Sequence, residues 1–238
     1  MAPYDTIFGD APVFTAEEEG LLATYNREYY LDKVMYDMGV RAEAPAGSFS
    51  EDGQEKLRHL YDGECRSADT EVRRLIDYVQ TRWPKTVIAV VADHGEEFWE
   101  HGSLGHAKRL YEESVNVPLV IHIPGRGAAR IETPVEAIDI LPTLAGAAGL
   151  AALDAWQGRD LAETVAAGGD MERAVFSQTR SSIRDFGVCL RSVRRGEWKL
   201  VQDRSAGEEY LFNLREDPGE QEDVSGENLE RVVALRGL

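Results

Sequence analysis

The residues best equipped for chemistry stand in one run, Asp93 to Lys108, DHGEEFWEHGSLGHAK. Asp93 can offer a hard oxygen and His94 a borderline nitrogen to a divalent cation, and Gly95 lets the chain turn sharply behind them. His101 and His106, each beside a glycine, follow on the same loop, and Lys108 comes after them. Three of the chain's five histidines and a lysine in one loop face either water or a ligand, because burying them unpaired is costly. The bland alternatives are a capping turn for Asp93, His94 and Gly95, a solvated loop for His101 and His106, and a surface cation for Lys108. Glu96, Glu97 and Glu100 read as a solvated acidic face, any of which could orient a ligand histidine. His59 and His122 fall in helix and strand patterns and read as structural histidines.

The elements around this run decide where it lies. Thr86 to Ala92, TVIAVVA, is a continuous β-branched apolar run, as expected of a central strand buried on both faces. The Asp-His pair begins where that strand ends, and in open α/β sheets the carboxyl ends of strands are where ligands bind. Ahead of the strand, a helix is predicted from Ser50 until Pro84 stops it. Leu57, Leu60, Tyr61, Cys65, Val72, Leu75, Ile76 and Val79 recur there at spacings of three and four, marking one buried stripe with Cys65 on the core face. An earlier helix is predicted over residues 15–38, with Thr15 as cap, Glu18 completing a capping box and Gly39 as stop. Pro118 to Ile123 predicts a second buried strand, and Asp139 to Leu150 a helix with Pro142 in its first turn. From about residue 172 short alternating stretches, separated by Gly187, Gly196 and Gly207, predict an antiparallel meander. The expected division is residues 1–171 for an α/β portion and 172–238 for an antiparallel subdomain with a terminal helix.

The composition, 43% hydrophobic and 29% charged over 238 residues, is that of a soluble globular chain, and no apolar run approaches the roughly 18 residues of a membrane span. The 26 basic and 43 acidic residues leave a net charge of -17 with His neutral. Such a charge repels phosphate backbones and anionic lipid, so neither nucleic acid nor a membrane is an expected partner. Cys65 and Cys189 lack metal-ligand spacing and read as reduced, buried thiols. Met1 to Tyr4 lacks the basic and apolar stretches of a secretory signal, which makes the chain cytoplasmic if Met1 is its true start.

VVADHGEEFWEHGSLGHAKRLYEESVNVPLVIHIPG resembles a segment of the sulfatase family, in the alkaline phosphatase superfamily, that carries a metal-ligand pair, a substrate-facing His or Lys and the next sheet strand. Similar stretches continue in that family's order: LYDGECRSADTEVRRLIDYV before the strand, then VEAIDILPTLAGAAGL, WQGRDL, RRGEWKLV and EEYLFNLREDPGEQEDV. The resemblance covers nearly all of the chain beyond residue 55 and, more loosely, the first fifteen residues.

It implies an alkaline-phosphatase-like α/β fold, a mostly parallel sheet flanked by helices, with a small C-terminal antiparallel sheet. It also implies a hydrolase of small sulfated substrates that uses a divalent metal, usually calcium, with manganese or magnesium as alternatives. Asp93 and His94 would be metal ligands, and His106, Lys108 and His101 the catalytic group, with Lys108 or His106 neutralising the ester oxygen or protonating the leaving group. The family nucleophile, a Cys or Ser in Cys/Ser-x-Pro-x-Arg, has no counterpart: Cys65 begins CRSAD and Cys189 begins CLRSV. The opening strand with its acidic pair is also missing, so the expectation is the C-terminal portion of a longer sulfatase-like protein whose N-terminal part could lie on a separate chain. Two other readings stand beside this one. The first is a phosphodiesterase or phosphonate monoester hydrolase of the same superfamily. The second is a non-catalytic remnant that binds a partner or an anion.

Overall fold

The computed structural model describes residues 13–24, 49–106, 109–180 and 189–238. They fall into two units, Met1–Arg82 and Trp83–Leu238. In the first unit, helix α1 (Ala16–Thr24) starts at the capping box expected there. The Thr15 hydroxyl accepts from Glu18 N at 3.2 Å, and Glu18 Oε2 accepts from Thr15 N at 2.8 Å. Residues 25–38 of the expected long helix lie outside the described residues. Helix α2 (Glu51–Arg82) is capped by Ser50, whose hydroxyl accepts from Gly53 N at 3.1 Å, and Glu51 and Asp52 complement the positive end of its dipole. Glu18 ties the two helix starts together, accepting from the Ser50 hydroxyl at 3.0 Å and lying 3.4 Å from Lys56 Nζ. Gly53 leaves it room, since a Cβ there would come within 2.3 Å of Glu18 Oε1.

The stripe expected on α2 is not buried. Along this helix only Gly53 and Gly63 are buried, Leu75 and Tyr78 are exposed, and Cys65 faces solvent rather than a core. A three-and-four spacing makes one face apolar without supplying the layer that covers it. Cys189 is half-buried, so neither thiol has the fully buried setting expected of it.

In the second unit, β1 (Ile88–Val91) runs into a hairpin of β2 (Glu97–Phe98) and β3 (Leu104–Gly105), then a one-turn helix α3 (Glu112–Val115). The chain returns as β4 (Leu119–His122), antiparallel to β1, with Ile88 opposite His122 and Val91 opposite Leu119. A parallel neighbour needs a long crossover, usually a full helix, and this connection has a single turn. Among the described residues every strand pair is antiparallel, and the parallel neighbours expected for TVIAVVA are not among them. Nor are both faces of that run buried: Val90, Val91 and, on β4, Val120 are exposed. β-branched residues dictate a strand, whereas covering its faces takes further layers.

A 3-10 turn (Ala137–Asp139) leads into α4 (Ile140–Ala147), with Pro142 in the first turn as expected. Helix α5 (Leu161–Ala166) is capped by Asp160, whose carboxylate accepts from Ala162 N at 2.8 Å. Strands β5 (Ala174–Arg180), β6 (Cys189–Arg195), β7 (Trp198–Asp203) and β8 (Glu208–Asn213) form the expected meander in sequence order. Gly196, with φ 59°, and Gly207, with φ 74°, take the left-handed backbone that their turns require. Helix α6 (Leu229–Arg236) lays Val232 and Leu235 onto Val193, Leu200 and Leu211. Leu200 and Leu211 are completely buried, each contributing about 1.5–3 kcal/mol.

Arg173, just before β5, holds the turn ahead of α4 from across residue 172. Its guanidinium donates to Asp139 Oδ2 at 2.7 Å and Oδ1 at 2.8 Å, and to Glu136 Oε2 at 3.0 Å. Burial alone would raise the Asp139 carboxyl; the Arg173 guanidinium and the amides of Arg159 and Glu136 outweigh it and hold the group below the usual carboxylate range.

Candidate active site

β1 delivers Asp93 and His94 to a turn that only glycine can complete. Gly95 N donates to Ser114 O at 2.9 Å, and a Cβ on Gly95 would meet Glu113 O at 1.8 Å. The strand exit is thereby pinned to α3. The hairpin then brings the second histidine back: Glu97 faces Gly105, so one step outward Glu96 faces His106. His106 Nδ1 donates to Glu96 Oε2 at 3.0 Å, which fixes the tautomer and leaves Nε2 for other chemistry. The His94 and His106 rings stack, with centroids 3.8 Å apart and planes 25° apart. One donor atom from each of His94, Glu96 and His106 lies within 4.8 Å of the others.

His94 Nδ1 lies 2.9 Å from Gly95 O, to which only a protonated nitrogen can donate. The lone pair is then on Nε2, which stands 3.7 Å from Asp93 Oδ2. Two ligands held about 2.0–2.6 Å from one cation sit roughly 3–4 Å apart, so this oxygen and nitrogen fit a shared divalent ion. The carboxylate oxygen suits a hard cation, and the imidazole nitrogen favours a softer one such as manganese over calcium or magnesium.

His101 goes elsewhere. It sits at the hairpin tip with its side chain 7% exposed, and its ring stacks on Tyr111 with centroids 3.5 Å apart. Its Nε2 is 3.1 Å from the Glu220 backbone oxygen, and Nδ1 lies 3.2 Å from Glu113 Oε1 without a hydrogen bond between them. It is not part of the His94, Glu96 and His106 cluster. Lys108 lies outside the described residues. Glu97 is buried at 2% exposure, so it does not belong to the solvated acidic face expected of it.

The inward-facing Lys199, with Glu112 and Glu220, lies in stretches that carry the family resemblance, but the sequence pattern assigned none of the three a role. Lys199 Nζ is 2.9 Å from Glu112 Oε1 and 2.9 Å from Glu220 Oε1, beneath the loop that carries the histidines. Burial pushes the Glu220 carboxyl above its ordinary value, with Lys199 and the Glu112 amide pulling the other way. The available signal was strand alternation: Lys199 and Val201 share the face of β7 opposite Trp198 and Leu200. A cavity of about 650 Å³ is walled by Pro142, Leu153, Trp156, Arg159 and Asp170 and includes none of the strand-exit residues. Convergent donors, rather than volume, mark the candidate site.

The sulfatase family model matches residues 11–150. The chain belongs to the sulfatase family. A second model, for the C-terminal region of N-sulphoglucosamine sulphohydrolase, matches residues 99–235. Arylsulfatase K of Mus musculus is 28% identical over 204 residues, covering 79% of this chain and 36% of the relative. Choline-sulfatase of Rhizobium meliloti (strain 1021) is 30% identical over 171 residues, covering 71% of this chain and 33% of the relative. The chain therefore spans about a third of these sulfatases. The solved structure of a phosphonate monoester hydrolase from Silicibacter pomeroyi matches with a TM-score of 0.70 at 23% identity, over 99% of this chain and 50% of that one. That match shows the expected mixed α/β fold.

Proposed function

We propose that the chain contributes the metal-binding turn and a substrate-facing imidazole to a sulfate ester hydrolase. The carrying observation is the convergence at one strand exit of Asp93 Oδ2 and His94 Nε2, 3.7 Å apart, with His106 stacked on His94. Asp93 and His94 would hold a divalent ion, calcium by family habit, and that ion would neutralise charge on the sulfate oxygens. With its Nδ1 proton held by the Glu96 carboxylate, the doubly protonated imidazolium form of His106 would present Nε2–H to the ester oxygen that leaves and donate that proton, becoming the neutral Nδ1–H tautomer. Lys108, two residues on, adds a positive charge that favours an anionic ester. The rigid Gly95 turn keeps the Asp93 and His94 donors together without a ligand to assemble them. The nucleophile would come from outside this sequence, which contains no Cys/Ser-x-Pro-x-Arg.

The phosphonate monoester hydrolase match favours a second reading, the same machinery acting on a phosphonate ester. A protein containing this chain and a nucleophile-bearing portion, assayed with p-nitrophenyl sulfate and p-nitrophenyl phenylphosphonate, separates them. Faster calcium- or manganese-dependent turnover of the sulfate supports the first reading, and the reverse order the second. The 238-residue chain alone is expected to bind divalent metal weakly and to hydrolyse aryl sulfate little or not at all; robust turnover by it would refute the missing nucleophile.

A further inference from the structure

We infer that Lys199 is a positioning residue of the candidate site, its ammonium holding both sides of the histidine loop from within the C-terminal sheet. The assignment rests on the ester-hydrolase reading for what the site does; the contacts stand independently of it. Lys199 is 1% exposed, and its Nζ lies 2.9 Å from Glu112 Oε1 and 2.9 Å from Glu220 Oε1. One arm runs through Glu112, the first residue of α3. Two residues on, Ser114 O accepts the Gly95 amide at 2.9 Å, next to His94. The other arm runs through Glu220, whose backbone oxygen meets His101 Nε2 at 3.1 Å at the hairpin tip. The arms are cross-linked, because Glu220 Oε2 accepts from Glu112 N at 2.6 Å.

Three features make this more than a structural salt bridge. Glu220 holds a left-handed backbone, φ 51°, which a non-glycine residue keeps only where its surroundings enforce it. Arg194 donates to Glu112 Oε2 at 2.9 Å, so two cations balance two carboxylates and neither acid is left alone. A buried ion set is commonly no more stabilising than apolar residues of equal volume. What the charges supply here is a set angle between a rigid sheet and a loop whose own hairpin pairs only two residues per strand.

The test uses the full chain and three variants: Lys199→Met, Glu112→Gln and, as a control, Leu211→Ala. The control opens a cavity in the core of the same sheet without touching the clasp. Two readouts are followed, the imidazole Cε1–H resonances of His94 and His106 and the affinity for Mn2+. Lys199→Met is expected to shift and broaden both resonances and to weaken Mn2+ binding by about 10- to 100-fold, the usual loss when a residue supporting a ligand is removed. Leu211→Ala, measured well below its unfolding temperature, is expected to leave both unchanged. If Lys199→Met does not fold, Glu112→Gln decides by the same readouts, since it removes the charge of one arm and keeps the Lys199–Glu220 pair. Unchanged resonances in both charge variants, or equal changes in Leu211→Ala, would overturn the inference. If the unmutated chain takes up no Mn2+, the metal reading fails, and the resonances alone still decide the role of Lys199.

Discussion

Asp93 and Asp139 are the same residue type in opposite situations. Asp93 keeps its side chain 89% exposed at the end of β1, beside one imidazole. Asp139 is fully buried, with both oxygens taken by Arg173 at 2.7 and 2.8 Å and by the amides of Arg159 and Glu136 at 2.8 Å each. The histidines repeat the contrast. His106 is partly open and uses one nitrogen on Glu96, while His101 is enclosed by Tyr111, Glu113 and Glu220. A polar group whose partners are all supplied by the chain serves the fold; one left under-coordinated at a strand end is available to a ligand.

Breaking the open side of this contrast carries the largest effect. In a protein that contains this chain and a nucleophile, Asp93→Ala is expected to lower metal-dependent ester hydrolysis by about a thousandfold or more, roughly 4 kcal/mol of barrier. A rate that stays the same across added calcium or manganese would count against the site. Breaking the closed side acts on folding: Arg173→Met leaves the Asp139 carboxylate buried and unpaired and is expected to cost about 3–5 kcal/mol in urea denaturation. A loss below about 1 kcal/mol would show that the pair is not what holds the α4 turn to β5.

The histidines sharpen the comparison at smaller scale. His101→Ala removes a buried stacked ring and is expected to cost about 1–3 kcal/mol of stability, whereas His106→Ala is expected to stay within about 0.5 kcal/mol and to abolish turnover. Equal stability losses from the two, read by thermal unfolding, would erase the distinction between them.

The pH dependence of stability tests Asp139 again. Its carboxyl is depressed in the folded state below the ordinary 3.8, so the contribution is complete above that value and is lost as pH falls through the lower folded one. The wild-type chain should therefore lose more stability than Asp139→Asn between about pH 5 and pH 2; equal slopes would break the assignment. Smallest of all, Cys65→Ser on the exposed face of α2 is expected to change stability by less than about 0.5 kcal/mol.

Much of the fold was legible along the chain. Thr15 with Glu18, Ser50, Pro84 and Pro142 mark helix ends by local hydrogen bonding or its absence, and those signals need no tertiary partner. The four-stranded meander follows from short alternating stretches between glycines for the same reason. Burial was less legible: the apolar stripe of α2 is at most half-buried, with Tyr61, Val72 and Leu75 exposed, and Val90, Val91 and Val120 of β1 and β4 are exposed as well. Periodicity describes one element, while burial depends on what packs against it. Of the candidate site, the sequence placed Asp93, His94 and His106 on one loop, and the structure brings them near one another. The diverging place of His101 was not legible, because a position four residues past the start of β2 carries no sign of which side of the hairpin tip it will take.

By itself the amino-acid order determined that a β-branched strand runs into an Asp-His-Gly turn followed by two glycine-flanked histidines, and that these stand in the order of the sulfatase family. Only the tertiary structure decided that Glu96 is the residue meeting His106, and that a lysine more than ninety positions beyond the turn secures it from the opposite sheet. The physical reason is that donors, acceptors and ligands act through distances of a few ångströms, and strand register and sheet packing set those distances between residues far apart along the chain.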